Sequence, residues 1–182
     1  MKKNKHENIT TGYIEGYYGK LLSWENRKLI VQSLQKNKMN TYFYAPKEDE
    51  KHRFNWREKY NLKWRKKFCE FTKFSKINNI NIIAGIAPGL DFDFKNFNSK
   101  LQKKESLDFR LLLNKAKQLL DDGATSISLL LDDIPEDFID KFGNKISEGT
   151  SHGILANTLS ESLGRNIYFV PRIYADELID GE

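Results

Sequence analysis

Two adjacent carboxylates, Asp132 and Asp133, stand at the end of an apolar run that covers residues 126–131. The run is too short for a helix that stands alone, and Gly123 precedes it, so it predicts a buried strand. In a parallel α/β protein, ligand chemistry gathers at the carboxyl ends of the strands. Like charges crowded at such a place raise the pKa of one carboxyl, which keeps a proton available for a leaving group. The pair therefore indicates an acid–base site.

Helix capping is a second explanation for the same two acids. Residues 135–137, Pro-Glu-Asp, form a favourable first helical turn, which Asp133 or Ile134 would precede. Side chains alternate faces along a strand, but this rule relaxes at the strand's end, where both carboxylates can turn into one pocket. The spacing alone leaves both explanations open and favours capping with solvation.

The rest of the chain alternates strand and helix patterns, and these elements must position the acids. The predicted strands cover residues 12–19 with a loop, 40–45, 81–87, 126–131 and 166–170. The predicted helices cover residues 23–37, 62–77, 108–122, 135–142 and 154–163, the last capped by Ser151 and ended by Gly164. Residues 92–99 are expected to form a polar, aromatic loop.

This order predicts an α/β fold with a parallel sheet and right-handed crossovers. The sequence has neither the glycine fingerprint of dinucleotide-binding domains nor a phosphate loop. The loops that follow the strands are the long, aromatic and acidic ones, and one of them carries a third acid, Asp91. That asymmetry is typical of a TIM (β/α)8-type barrel rather than of a Rossmann domain.

The composition narrows the class of protein. The chain has 182 residues, of which 39% are hydrophobic and 13% aromatic, enough for one domain with a core. The net charge of +5 lies mostly on lysines of predicted helix faces, which favours a solvated surface over a nucleic-acid patch. A single cysteine, Cys69, excludes a disulfide within the chain, and no zinc-type cluster is present in the sequence. Without a signal-peptide or membrane-helix pattern, we expect a soluble cytoplasmic protein with no cofactor and no membrane contact.

Two loops near the strand ends have ambiguous patterns. Gly16 allows close approach of the backbone to a ligand, or it is part of a plain turn. His52, Arg53, Trp56 and Arg57 lie within six residues of a polar loop. Such a mix forms either one wall of a site or a local ion-pair cluster, and the pattern slightly favours the cluster.

Six motifs in the same order give the chain a family resemblance. They are GYIEGYYG (12–19), NTYFYAPKED (40–49), KHR (51–53), WRE (56–58), APGLD (87–91) and LLDDI (130–134). With these motifs the chain resembles the catalytic domain of glycoside hydrolase family 84. That family holds protein O-GlcNAcases and bacterial β-N-acetylglucosaminidases, some of them hyaluronidase-like.

The resemblance implies a retaining exo-β-N-acetylglucosaminidase that hydrolyses terminal β-linked N-acetylglucosamine by substrate assistance. Some glycosidases replace the protein nucleophile in this way, and here the 2-acetamido carbonyl would attack its own anomeric carbon to give an oxazoline. By its place in the motif, Asp132 would orient and polarise the acetamido N–H. Asp133 would protonate the leaving oxygen and afterwards activate water.

The resemblance also implies four substrate-binding residues and no metal. Gly16 matches a glycine whose carbonyl faces the sugar hydroxyls, and Lys47 matches a lysine that contacts those hydroxyls. Tyr174 matches a tyrosine that hydrogen-bonds the acetamido oxygen, and packing at a strand end is its alternative role. Tyr18 matches an aromatic residue near the acetamido pocket, again with packing as the alternative.

The length indicates an incomplete barrel. A full barrel needs about 250 residues and eight strands, whereas five strands are predicted here. We expect residues 1–11 to be a polar extension and 12–182 to be the N-terminal part of the barrel, from a truncated sequence. A second chain that completes the barrel, or a non-catalytic N-acetylhexosamine-binding or assembly domain, are the alternatives.

Overall fold

A computed structural model describes residues 9–143 and 145–175 of the chain. Most of the predicted N-terminal extension, residues 1–8, lies outside the described residues, so the domain boundary stays a prediction. The described residues form one five-stranded sheet with helices between the strands. The strands are β1 (Gly12–Glu15), β2 (Thr41–Tyr44), β3 (Asn81–Ile86), β4 (Ser126–Leu130) and β5 (Tyr168–Val170).

The strand order distinguishes a barrel from a doubly wound sheet. The order is β1-β2-β3-β4-β5, and every neighbouring pair is parallel. Each crossover therefore moves to the adjacent strand in one direction, whereas a doubly wound sheet reverses direction at a switch point. This confirms the predicted architecture: a curled half-barrel with the first five strand–helix units of the TIM type.

Six α-helices join or follow the strands of the described chain. They are α1 (Trp24–Lys36), α2 (Leu62–Ile77), α3 (Phe94–Ser99), α4 (Leu107–Asp121), α5 (Phe138–Phe142) and α6 (Glu148–Leu163). The bounds of α2 are those predicted from its apolar spacing. Asn61 caps its first turn, since the Asn61 side chain accepts a hydrogen bond from the Trp64 amide.

The two faces of the sheet differ in side-chain size. Alternate residues such as Tyr42, Tyr44 and Ile82 face the helices and join the main aromatic and aliphatic core. On the inner face, Ala45 and Leu130 belong to a smaller cluster. The inner face would not tolerate larger side chains, because a Cβ at Gly85, on β3, would lie 2.7 Å from Leu130 Cδ1.

A buried ion pair fixes the end of β1 against α1. The Arg27 guanidinium donates to Glu15 Oε2 and Oε1 at 2.9 and 2.8 Å, and the Tyr42 hydroxyl donates to Glu15 Oε2 at 2.6 Å. Such a bidentate pair is geometrically specific. It therefore sets where the chain leaves β1 towards Gly16 and Tyr18.

The predicted start of the last helix is wrong. Ser151 was expected to cap it, but α6 begins one turn earlier at Glu148, and Ser151 is buried within the helix. Ser147 is the cap, since its Oγ accepts a hydrogen bond from the Thr150 amide at 3.2 Å. Both serines precede helix-compatible residues, and the capping position depends on which one has extended backbone.

The expected loop over residues 92–99 contains a short helix, α3. Asp93 caps it by accepting a hydrogen bond from the Asn96 amide at 2.8 Å. Phe94 and Phe97 are buried in an aromatic cluster, so tertiary packing holds a segment whose length alone would not sustain a helix. The helix predicted from Pro135 begins later, at Phe138.

Candidate functional site

The two adjacent acids leave β4 in different backbone conformations. Asp132 continues the alternation of inward-facing residues Ser128 and Leu130 and so points towards the inside of the half-barrel. By the same alternation Asp133 would face the helices. Its φ of 52° instead places it in the left-handed region and turns its carboxylate back to the side of Asp132.

Lys47 brings the two carboxylates to one point. It lies in the loop after β2, its side chain is 3% exposed, and its Nζ donates to Asp132 Oδ2 at 2.7 Å. The same Nζ lies 2.8 Å from Asp133 Oδ2. The structure therefore brings together three predicted site residues, and neither aspartate is a helix cap: α5 begins at Phe138, and its N-cap residue is Asp137.

This arrangement stabilises the charged forms of Lys47 and Asp133. The hydrogen bond from Lys47 lowers the pKa of Asp133 below its ordinary value, although partial burial acts in the opposite direction. Burial by itself would lower the pKa of Lys47, but the hydrogen bonds to both aspartates outweigh it and the pKa is raised. Asp133 is therefore a carboxylate, and the expected rise of a carboxyl pKa through crowding of like charges does not occur at this residue, because Lys47 contacts both carboxylates and lowers the pKa.

Tyr18 and Arg53 complete the surroundings of Asp133. The Tyr18 hydroxyl donates to Asp133 Oδ2 at 3.2 Å. Arg53 Nη2 donates to the backbone oxygen of Asp133 at 2.7 Å, and its guanidinium lies 5.7 Å from the centre of the Tyr18 ring. Sequence reasoning did not select Arg53 as a site residue. Its signals were the KHR motif (51–53) and the polar loop, for which a wall of a site was the less favoured explanation.

Two buried polar atoms near Lys47 and the two aspartates lack hydrogen-bond partners among the described residues. They are Asp132 Oδ1 and His52 Nε2. His52 is fully buried, its Nδ1 lies 2.9 Å from the Gly85 oxygen, and burial lowers its pKa to about 4. His52 is therefore neutral. If its Nδ1 carries the proton that bonds Gly85, its Nε2 is a free acceptor.

Within the described part of the chain, the two remaining predicted binding residues make no observed hydrogen bond with the two aspartates. Gly16 follows β1 at the same end of the sheet, and its position remains compatible with a backbone contact to a ligand. Tyr174 follows β5, its side chain is 63% exposed, and none of the hydrogen bonds found in the described part of the chain joins it to Asp132 or Asp133. The roles of both residues stay predictions.

The third strand-end acid, Asp91, belongs to a separate cluster. Arg57 donates to Asp91 Oδ2 and Asp108 Oδ2 at 2.5 and 2.6 Å, and Trp56 Nε1 donates to Asp91 Oδ1. Both interpretations of the polar loop therefore apply: Arg57 forms an ion-pair cluster, and Arg53 forms part of the wall of the candidate site.

Two negative observations apply to the part of the chain that the structure describes. Within residues 9–143 and 145–175, no group of three or more His, Cys, Asp or Glu side chains is arranged to hold a metal ion. None of the helices in these ranges combines the length and the apolar character that crossing a membrane requires.

Comparison with known proteins identifies relatives of this chain. The family model described as beta-N-acetylglucosaminidase matches residues 11–178. The protein O-GlcNAcases of Rattus norvegicus and Mus musculus are each 37% identical over 123 residues, which is 68% of this chain. The chain spans 12% of the length of these curated relatives.

Solved structures give the same result. A mutant O-GlcNAc hydrolase of Thermobaculum terrenum superposes with a TM-score of 0.76 at 26% identity, covering 90% of this chain and 35% of that one. The structure of CpGH84B gives a TM-score of 0.61 at 34% identity, covering 76% of this chain and 25% of that one. The sequence and fold comparisons agree, and the chain belongs to the β-N-acetylglucosaminidase family, glycoside hydrolase family 84.

Proposed function

We propose that this chain carries the catalytic acids of a retaining exo-β-N-acetylglucosaminidase that removes terminal β-linked N-acetylglucosamine by substrate assistance. The convergence of Asp132 and Asp133 on Lys47 is the observation that carries the proposal. The protein O-GlcNAcases among the relatives support the same substrate class. No cofactor enters the proposed reaction.

The proposed first step breaks the glycosidic bond without a protein nucleophile. The acetamido oxygen attacks the anomeric carbon, the bond to the leaving oxygen breaks, and protonated Asp133 gives its proton to that oxygen. Asp132 accepts a hydrogen bond from the acetamido N–H and stabilises the positive charge that develops on the forming oxazoline. The buried, unpartnered Asp132 Oδ1 supports this role, because it is an acceptor without a donor.

The second step reverses the use of Asp133. Asp133, now a carboxylate, takes a proton from water while the water oxygen attacks the anomeric carbon and the ring bond of the oxazoline opens. Two inversions at the anomeric carbon give retention. Lys47 and the Gly16 carbonyl would contact the sugar hydroxyls, and Tyr18 and Tyr174 would line the acetamido pocket.

Release of 4-nitrophenol from its β-N-acetylglucosaminide tests the proposal. Asp133→Asn keeps the size of the side chain but cannot donate or take the proton, so we expect the rate to fall by about 100-fold or more. Asp121→Asn is the matched control, since it removes the same charge from an exposed residue at the end of α4. Equal rates for wild type and Asp133→Asn would refute the assignment.

Substrates with an electron-poor acetamido group distinguish the substrate-assisted mechanism from attack by a protein carboxylate. Replacing the acetamido methyl hydrogens one by one with fluorine weakens the carbonyl oxygen as a nucleophile. The proposed mechanism predicts a progressive fall of kcat along the mono-, di- and trifluoroacetamido series. A rate that is indifferent to fluorination would contradict the oxazoline step.

We also propose that a second chain completes the barrel. Ile14 on β1 and Tyr168 and Phe169 on β5 are exposed large side chains on the two outermost strands of the described sheet. Strand edges with exposed apolar residues favour further pairing. Sedimentation of the purified chain tests this, and a monomer with full glycosidase activity would contradict it.

A binding domain without turnover is the second candidate function. The exposed Tyr174 favours it, because a tyrosine that is not held against the acids leaves the acetamido oxygen without its predicted donor. This candidate predicts that N-acetylglucosamine, or its thiazoline mimic, raises the thermal midpoint of a chain that releases no nitrophenol. Absence of any ligand-induced shift would eliminate it.

A further inference from the structure

The backbone at Asp133 needs support from elsewhere in the chain. Its φ of 52° lies in the left-handed region, which costs most residues with a Cβ about 1–2 kcal/mol and which Asp tolerates better than most without preferring it. Without this turn the strand alternation would direct the Asp133 carboxylate away from Asp132. The position of the proposed acid therefore depends on whatever stabilises the turn.

Arg53 contacts the turn directly. Its Nη2 donates to the Asp133 backbone oxygen at 2.7 Å, and the residue is only 8% exposed, so water competes little for this hydrogen bond. The same guanidinium lies over two aromatic rings, 5.7 Å from the centre of Tyr18 and 5.3 Å from that of Phe54. Tyr18 in turn donates to Asp133 Oδ2 at 3.2 Å.

We propose that Arg53 is a positioning residue for Asp133: it fixes the left-handed turn through the backbone oxygen and holds Tyr18 against the carboxylate. This inference rests on the proposed role of Asp133 as the acid. Arg53 does not touch the reacting atoms, since its hydrogen bond goes to the main chain. A lysine at this position would keep the charge but not the planar fork that reaches the oxygen while it lies over the rings.

Arg53 also contributes to the electrostatic surroundings of the acid. The groups that face Asp133 are Lys47 from the loop after β2, Tyr18 from the loop after β1, Arg53 and the neighbouring Asp132. Lys47 is the main cause of the lowered pKa of Asp133, and the charge of Arg53 is a smaller cause in the same direction. Removal of Arg53 therefore has a consequence that a purely structural arginine would lack.

Kinetics of two substitutions at residue 53 test the proposal. Misplacing a catalytic group by about 1 Å can cost about 100-fold in rate. We expect Arg53→Gln to lower kcat on the nitrophenyl substrate by about 10- to 100-fold while KM stays within about threefold. Arg53→Lys is expected to show a smaller loss of kcat with an unchanged alkaline limb of the pH profile. An unchanged kcat in a folded Arg53→Gln protein would overturn the inference.

Arg57→Gln is the matched control from the same loop. Arg57 binds Asp91 and Asp108 and has no contact with Asp133 in the described structure, so its loss is expected to lower the thermal midpoint without changing the pH profile. If Arg57→Gln changes kcat as Arg53→Gln does, general loosening of the loop explains both and the proposal fails.

An NMR titration gives a result even without turnover. The carboxyl carbon signal of Asp133, identified by its absence in Asp133→Asn, reports the pKa of that group. We expect Arg53→Gln to raise this pKa and Arg57→Gln to leave it unchanged. A chain that cleaves no glycoside but shows this difference would contradict the proposed function and support the positioning role; no difference between the two variants would overturn the positioning role.

Discussion

Lys47 allows the charge arrangement of the site to be tested through protein stability. One nearly buried ammonium contacts Asp132 Oδ2 at 2.7 Å and Asp133 Oδ2 at 2.8 Å. Lys47→Met keeps much of the length and the apolar character of the side chain but removes the charge and its donors. The two carboxylates are then left close together without the cation that contacts both of them.

The expected loss follows from how much water reaches the partners. Breaking a fully buried ion pair by removing one partner costs about 3–5 kcal/mol. Here the Asp132 and Asp133 side chains are 15% and 38% exposed, so solvent screening reduces the loss. Methionine also avoids the desolvation of the ammonium. We therefore expect Lys47→Met to lower the free energy of unfolding by about 2 kcal/mol at pH 7.

The pH dependence identifies charge as the cause. Lys47 lowers the folded-state pKa of Asp133, so its stabilisation is present above the unfolded-state pKa of about 4. It is lost as the pH falls through the lower folded-state pKa. In urea denaturation, the difference between wild type and Lys47→Met should be smaller at about pH 3 than at pH 7. Lys66→Met, at an exposed position of α2, should show little difference at either pH.

Equal losses at both pH values would refute this reasoning. That result would mean that Lys47 stabilises the chain by packing of its methylene groups, as long side chains can. A gain in stability at pH 7 would contradict it in another way, because it would show that the desolvation of the ammonium exceeds its attraction to the two aspartates.

Two further predictions concern the core. Burial lowers the pKa of Lys115, which donates to the Glu58 oxygen and lies over the Tyr60 ring, to about 7. The unfolded chain keeps that proton to higher pH, so the free energy of unfolding of the wild type, measured by urea denaturation, should rise by about 2 kcal/mol relative to that of Lys115→Met between about pH 7 and 9. Equal changes of this free energy in both proteins would contradict the prediction. Gly85→Ala should lower the free energy of unfolding by about 1–3 kcal/mol because of its crowded inner-face position, whereas Gly149→Ala, at an open position of α6, should raise it by about 0.5–1 kcal/mol. Equal thermal midpoints for these two variants would show that the inner face adapts.

Local sequence patterns were sufficient to predict the strands and helices whose apolar spacing and end residues are distinctive. The helix α2 has the bounds that its apolar spacing predicts, and the five strands occur where apolar or aromatic runs end at Pro, Gly or acidic residues. The start of α6 and the helix α3 were missed for a different reason. Ser147 and Ser151 are equivalent caps in sequence, and α3 depends on aromatic packing that only the folded chain provides.

The grouping of three candidate-site residues was predictable from the sequence, but the contacts that hold Asp133 in place were not. The adjacent acids and Lys47 were selected from the sequence motifs, and their side chains meet. The left-handed turn at Asp133 has no sequence signal, because Asp tolerates this conformation without requiring it. Arg53 and Arg57 have the same chemistry in one loop, and only the fold directs one to Asp133 and the other to Asp91.

Asp133 is a carboxylate in the structure, whereas the proposed first step needs a carboxylic acid. Lys47 is the main cause of the lowered pKa of Asp133, and by family resemblance the same lysine contacts the sugar hydroxyls. We propose that hydroxyls of a bound sugar take over the donors of Lys47, which would weaken the attraction of Lys47 for Asp133 and raise the pKa of Asp133. In this proposal Lys47 would couple binding of the sugar to protonation of Asp133. The alkaline limb of the pH profile of kcat/KM reports the pKa of the acid in the free enzyme. In Lys47→Met we therefore expect this limb to move to higher pH while the rate falls. An alkaline limb that stays at the same pH would show that Lys47 contributes to the rate without setting the pKa of Asp133.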